Sequence, residues 1–276
     1  MKEETQFKKI LSNIKSIKIQ GAENVCRAGI QAFLLKPTKS SARKILSVRL
    51  TEPLLQNAIK LLLKSKDKEK TANDFLKNLK KAHEKIVKQG SKLIKDNMNI
   101  YSHCHSSTVI DILYEAKKQG KKFTVYTSEV EPLLQGRKTA RDLAKLKIKV
   151  VIMPDLAISE AIKKCDIFFF GADAYTKKFI YNKIGTSIIN TLARNSKVKT
   201  YSCGVSAKFT KKVKIEKRLG KEVWDERNKN IEIYNPAFDK TKMFQVTGII
   251  SELGILKPKQ FVKKVSKDFK PFSKAF

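Results

Sequence analysis

With 276 residues, 41% of them hydrophobic, the chain has material for one large domain or two ordinary ones, and no apolar run approaches the ~18 residues of a membrane span. Lys and Arg number 59 against 26 Asp and Glu, a formal charge of +33 that attracts any polyanion. Only eight of those 59 are arginine, the residue that reads phosphate and bases in a planar, bidentate way, and they form no single basic face with interleaved aromatics.

A solvated lysine coat with non-specific nucleic-acid contact therefore fits the charge better than selective recognition. The opening MKEETQFKKI lacks the basic stub and apolar core of a secretion signal. Cys26, Cys104, Cys165 and Cys203 show no paired spacing of a disulfide framework or zinc ribbon, so a soluble cytoplasmic chain with free thiols is expected, with no membrane association.

Residues 1 to about 95 carry no convincing strand. Apolar residues recur at three- and four-residue spacing over 24–35, 40–48, 51–64 and 71–88, which predicts amphipathic helices and an N-terminal helical domain. The lysine-rich stretch 64–70 is its only linker-like break.

From residue 99 the pattern changes. Short apolar runs at 99–101, 122–127, 149–153, 167–170 and 199–202 alternate with helix-length amphipathic segments at 109–118, 139–146, 158–163 and 184–195. Such alternation predicts a Rossmann-like α/β domain over 96–276, a parallel sheet flanked by helices. Ile167-Phe168-Phe169-Phe170 is continuously apolar, as suits a parallel strand buried on both faces. A basic tail runs from Lys257.

Three places in this half carry chemistry. Tyr101-Ser102-His103-Cys104-His105-Ser106-Ser107 puts a thiol, two imidazoles and three Ser hydroxyls at a strand-to-helix turn. Gly171-Ala172-Asp173 follows the apolar strand, so Asp173 is expected at a strand's carboxyl end. Asn182-Lys183-Ile184-Gly185-Thr186 is read as opening a helix, where free amides and a lysine would suit phosphate.

For Cys104 four readings stand. A zinc site would need a further ligand, and in an extended strand the two flanking histidines point away from the cysteine's face. A Cys–His nucleophile pair requires spatial adjacency that sequence adjacency does not supply. A buried structural cysteine is the usual fate of the residue. The fourth reading is an acid/base thiol working with Asp173, the two sharing proton donor and acceptor roles. On it His103 and His105 are strand-end neighbours that tune the thiol.

Together these strings resemble the family that joins the alpha, beta and delta subunits of translation initiation factor 2B with isomerases of ribose 1,5-bisphosphate and methylthioribose 1-phosphate. The resemblance spans nearly the whole chain. It rests on Ser102-His103-Cys104-His105-Ser106, 129–136 with Thr139-Ala140, Gly171-Ala172-Asp173, Asn182 to Thr186, Lys208-Phe209 and Asn235-Pro236-Ala237-Phe238-Asp239. It implies a catalytic pair of Cys104 and Asp173, with Asn182 and Lys183 holding the sugar and a phosphate and Gln135 and Lys208 nearby. It also implies a phosphate-binding Arg49 and an anion loop at Gly21-Ala22, with no metal and no cofactor. The ligand implied is a phosphorylated pentose or a nucleotide, and the assembly a homo-oligomer.

Three departures bear on activity. Gln20 stands where the isomerases usually have an arginine, Glu129-Val130-Glu131-Pro132 replaces a Glu-Thr-Arg-Pro string, and the loop from Asp173 to Asn182 is one residue short. Two functions follow as expectations: an aldose–ketose isomerase acting on ribose 1,5-bisphosphate, or a non-catalytic initiation-factor-like subunit with a regulatory sugar-phosphate or nucleotide pocket and an initiation factor as partner.

Overall fold

The structure, a computed structural model, describes residues 2–267; the end of the basic tail, 268–276, lies outside the described residues. Five helices come first: α1 (Lys2–Lys15), α2 (Ala22–Leu35), α3 (Lys39–Ser47), α4 (Pro53–Lys64) and α5 (Lys68–Ser91). Local chemistry starts three of them. The Thr38 hydroxyl accepts from the Ser41 N–H at 3.1 Å ahead of α3, Pro53 begins α4, and the Asp67 carboxylate accepts from the Lys70 N–H at 2.9 Å ahead of α5. That last cap turns 64–70 into a tight corner between two helices rather than a linker. α1 escapes the periodicity reading, because its fully buried face is only Phe7 and Ile14.

The rest of the described chain alternates as the pattern predicts. Strands β1 (Asn99–His103), β2 (Thr124–Ser128), β3 (Lys149–Met153) and β4 (Ile167–Gly171) are separated by helices α6 (Ser107–Lys118), α7 (Gln135–Lys145) and the short α8 (Ile158–Ala161). Then come β5 (Ala174–Tyr175), β6 (Phe179–Lys183), α9 (Thr186–Asn195), β7 (Lys199–Cys203), β8 (Phe238–Lys242), β9 (Gly248–Ser251), β10 (Gly254–Leu256) and α10 (Pro258–Lys267). The main sheet runs β10-β9-β7-β4-β1-β2-β3, parallel except where β10 pairs antiparallel with β9.

A second sheet, β5-β6-β8, is small and antiparallel. It corrects the sequence reading, because Asn182 and Lys183 end strand β6 rather than open a helix. Polar and charged residues on β8, Phe238-Asp239-Lys240-Thr241-Lys242, hide that strand from an apolar-pattern search.

The continuous apolar strand β4 is the hinge of the core. Phe168, Phe169 and Phe170 are all 0% exposed, but they face opposite ways. Phe169 packs with residues of α1–α6, whereas Phe168 and Phe170 pack with residues of α8, α9 and α10. Each such burial is worth about 2–3 kcal/mol. The first of these clusters runs from Phe7 to Ile250, so the N-terminal helices and one face of the sheet share a core.

What positions the site is the strand order. β1 has β2 on one side and β4 on the other, with His103 opposite Phe170, so the chain reverses direction across the sheet between β1 and β4. The carboxyl ends of two strands that flank such a switch point leave a crevice where open α/β sheets place ligands.

Candidate active site

A cavity of about 420 Å³ opens at that crevice, between the sheet and the N-terminal helices. Of the nine catalytic and binding residues expected from sequence, six reach its wall: Gly21, Arg49, Cys104, Gln135, Asp173 and Lys183. Ala22, Asn182 and Lys208 are not on the wall; they lie behind it. Lys208 is 7% exposed and donates to the Ala172 carbonyl at 2.7 Å. With the Asn182 amide turned so that its donors meet acceptors, Nδ2 reaches Asp173 Oδ2 at 3.2 Å and the Gly171 carbonyl at 3.3 Å. Both therefore support Asp173 from below.

Cys104 follows β1 directly with a backbone φ of 65°, a left-handed kink that no sequence pattern signals. Its carbonyl accepts from the Thr139 hydroxyl at 2.9 Å, which ties the kink to α7. Burial pushes the thiol up to about 11, with nearby Lys183 and the His105 N–H pulling down and Asp173 adding to the rise. Asp173 follows β4, its N–H donating to the Tyr181 carbonyl at 2.9 Å. Burial raises its pKa, while Lys208, Arg49 and Lys183 hold the rise back.

The imidazoles do not tune the thiol as expected. His103 is 3% exposed and directs Nε2 at the Ile184 carbonyl, 2.9 Å away. Burial lowers it to about 4, so at neutral pH it is a neutral donor in the core. His105 turns the other way, to the Thr139 hydroxyl at 3.2 Å and Lys138 Nζ at 2.7 Å. The two rings go to separate partners, and among the described residues no group of three or more His, Cys, Asp or Glu is arranged to hold a metal.

The phosphate site expected at the start of α9 is already filled. Asp239 Oδ2 accepts from the Ser187 N–H at 2.8 Å, so an internal carboxylate occupies that helix end. Burial raises this carboxyl to about 6. Helix starts of the kind that suit an anion remain at α2 and α6, where Gly21 and Ser107 line the cavity. Gly21 has a φ of 83°, which suits glycine. Gln135 opens α7 and buries its Oε1 without a partner.

Arg49 reaches the cavity from the α3–α4 connection. It ion-pairs with Glu216 at 2.8 Å and Glu52 at 3.5 Å, with only 12% of its side chain exposed. Thr51 fastens the facing segment, donating to the Lys214 carbonyl at 2.7 Å and accepting from the Glu216 N–H at 2.9 Å. Glu52, Glu216 and Arg218 are wall residues that the sequence reading missed. Glu52 adjoins Arg49-Leu50-Thr51 and was within reach of inspection; Glu216 and Arg218 lie in a stretch, 211–237, with no periodicity to place it. Gln20 does line the cavity, whereas Glu131 is exposed and off the wall, its N–H donating to Asp155 at 2.8 Å. The acidic replacement at 131 thus leaves the wall's charge unchanged.

Helix starts, lysines and a thiol–carboxylate pair thus meet at a switch-point cavity, where open α/β sheets place ligands. Residues 18–258 match the Initiation factor 2 subunit family, and the chain belongs to it. It is 33% identical to the ribose 1,5-bisphosphate isomerase of Methanocaldococcus jannaschii over 94% of each chain. It is also 33% identical to the methylthioribose-1-phosphate isomerase of a Thermoanaerobacter species, over 64% of this chain and 58% of the relative. Among solved structures, the translation initiation factor eIF-2B of Pyrococcus horikoshii superposes with a TM-score of 0.84 at 27% identity, covering 93% of this chain and 98% of that one.

Proposed function

We propose that this chain is an aldose–ketose isomerase of a 1-phosphorylated pentose, with ribose 1,5-bisphosphate as substrate and ribulose 1,5-bisphosphate as product. The observation that carries this reading is the meeting of Cys104 and Asp173, from neighbouring strand ends, at one cavity that also holds Lys183. The similarity to named isomerases over most of the chain supports it.

The chemistry requires two proton-transferring groups. A sugar whose anomeric oxygen carries phosphate cannot open to a free aldehyde, so the ring oxygen must receive a proton as its bond to carbon 1 breaks. The hydrogen on carbon 2 must arrive at carbon 1, and the hydroxyl on carbon 2 must lose its proton as the ketone forms. These changes balance without an oxidant, metal or cofactor. Cys104, whose thiol burial keeps protonated at neutral pH, gives the proton to the ring oxygen. Asp173, its carboxylate charge supported by Lys208, Arg49 and Lys183, takes the proton released as the carbon 2 hydroxyl becomes the ketone. General acid–base help of this kind is typically worth about 10²- to 10⁴-fold. Arg49, Lys183 and the α2 and α6 amides supply the phosphate contacts.

A second reading, a non-catalytic regulatory subunit, draws on two observations. Gln20 adds no charge to the wall, and Arg49 is engaged by two carboxylates of the chain itself. Incubation with ribose 1,5-bisphosphate separates the readings: the isomerase forms ketose and loses that activity in Asp173→Asn, whereas the regulatory subunit binds the sugar phosphate without converting it. Among the described residues no helix is long and apolar enough to cross a membrane. A cytoplasmic homo-oligomer completes the proposal, with an initiation factor as partner on the second reading only.

A further inference from the structure

Glu52 is a buried acidic wall residue to which the isomerase chemistry gives no role. It is 1% exposed, lines the cavity, and its Oε2 is buried without a hydrogen-bond partner. Its other oxygen lies 3.5 Å from Arg49 Nη2, too long for a strong bond, because Arg49 directs Nη1 to Glu216 at 2.8 Å. The charged groups that face Glu52 are Asp173 and Glu216 on the negative side and Arg49 and Lys208 on the positive side; the Cys26 thiol also feels its charge. Burial and then the Asp173 charge push this carboxyl up to about 8.

A phosphate that enters this cavity brings negative charge into a space that already holds Asp173, Glu216 and Glu52. Two like charges in a confined, poorly hydrated site cannot both persist cheaply, and the group that is easiest to neutralise gives way. Glu52 is that group: Asp173 accepts from the Asn182 amide at 3.2 Å and Glu216 pairs with Arg49 at 2.8 Å, whereas Glu52 Oε2 has no partner, so it can carry a proton and then donate it in a hydrogen bond toward the ligand.

We propose that Glu52 is a proton-switched ligand-binding residue: the ligand's phosphate and one proton bind together, and Glu52 in the complex is a neutral acid that donates a hydrogen bond into the cavity. The inference rests on the reading that this cavity takes a phosphorylated ligand. It does not depend on turnover. A glutamine at this position keeps the size and supplies a permanent donor, so Glu52→Gln mimics the proton-bound state.

The test is the affinity for inorganic phosphate and for ribose 1,5-bisphosphate between about pH 7 and pH 9, in wild type, Glu52→Gln and Asp173→Asn. A phosphate ester is already a dianion over this range, and the partial titration of inorganic phosphate near pH 7 is common to all three proteins and cancels in the comparison with Glu52→Gln. Wild-type affinity is expected to fall about tenfold across the range, with proton uptake seen as a dependence of binding heat on the buffer's ionisation enthalpy. Glu52→Gln should bind with nearly pH-independent affinity and no uptake, while Asp173→Asn keeps a slope. Circular dichroism and melting establish that each variant is folded. A slope that survives in Glu52→Gln, or no binding of either anion in the wild type, overturns the proposal. Turnover without coupled proton uptake refutes this role of Glu52 alone, and coupled uptake without turnover refutes the isomerase alone.

Discussion

Cys104 holds its thiol at the mouth of the switch-point cavity by means of a backbone φ of 65°, a conformation that costs a non-glycine residue on the order of 1–3 kcal/mol. The bond from Thr139 to its carbonyl is one of the contacts that maintain the kink. Because burial raises this thiol to about 11, it is protonated in the ligand-free protein at neutral pH. The difference in 240 nm absorbance between wild type and Cys104→Ser should therefore show no thiolate near pH 8 and should emerge only as pH approaches about 11. Thiolate absorbance already present at pH 8 would mean that Lys183 outweighs burial. At this scale Cys104 and Asp173 were legible, because one string placed each at a strand end. The partners were not: His103 turns to the Ile184 carbonyl and Glu52 enters from the α3–α4 connection, and both contacts depend on tertiary geometry.

At the scale of elements, the start of α7 is the tightest junction near the cavity. A Cβ on Gly136 would meet the Ser128 carbonyl oxygen at 1.6 Å, and the Gly136 N–H donates to the Glu129 carbonyl at 2.9 Å. Gly136→Ala must push α7 off the end of β2 and carry Gln135 with it. A loss of at least ~2 kcal/mol in urea unfolding is expected, together with weaker ligand binding. A neutral outcome would mean that α7 is free to slide. The helices and parallel strands were legible because their periods differ, 3.6 against short buried runs. Strands β6 and β8 were not: β6 leads into α9 through a single glycine turn, and β8 alternates charged with buried residues at the rim of the small sheet. That is why Lys183 was expected on a helix and sits on a strand, and why Asp239 was not foreseen as the group that fills the start of α9.

Across the whole molecule, the N-terminal helices share an apolar core with the sheet and are tied to α6 by a part-buried ion cluster. His83 on α5 contacts Glu23 of α2 at 3.3 Å and Asp111 of α6 at 2.7 Å. Hydrogen bonds to Asp111 and then Glu23 raise it to about 9. The folded pKa lies above the unfolded value near 6.5, so this stabilisation is fully present below about pH 6.5 and is lost as pH rises through about 9. Thermal melts should show His83→Gln well below wild type at pH 6 and nearly equal to it at pH 10; an equal deficit at both would assign the effect to packing. Glu23 lies two residues from Gly21, in the first turn of α2, so the same cluster steadies the α2 end of the cavity. The change from helices alone to alternating strands and helices was visible in the switch of periodicity near residue 95. The continuous core beneath it was not, because pattern reveals which face is apolar and not what covers it.

Conversion of ribose 1,5-bisphosphate followed by phosphorus NMR tests the central claim most directly, run on wild type, Cys104→Ser and Asp173→Asn under conditions where a known isomerase works. The expected result is a ribulose 1,5-bisphosphate signal with wild type and a loss of about 10²-fold or more in each variant, with both variants folded and still able to bind the sugar phosphate. Unchanged ribose 1,5-bisphosphate in the wild-type sample, or full activity without either side chain, contradicts it.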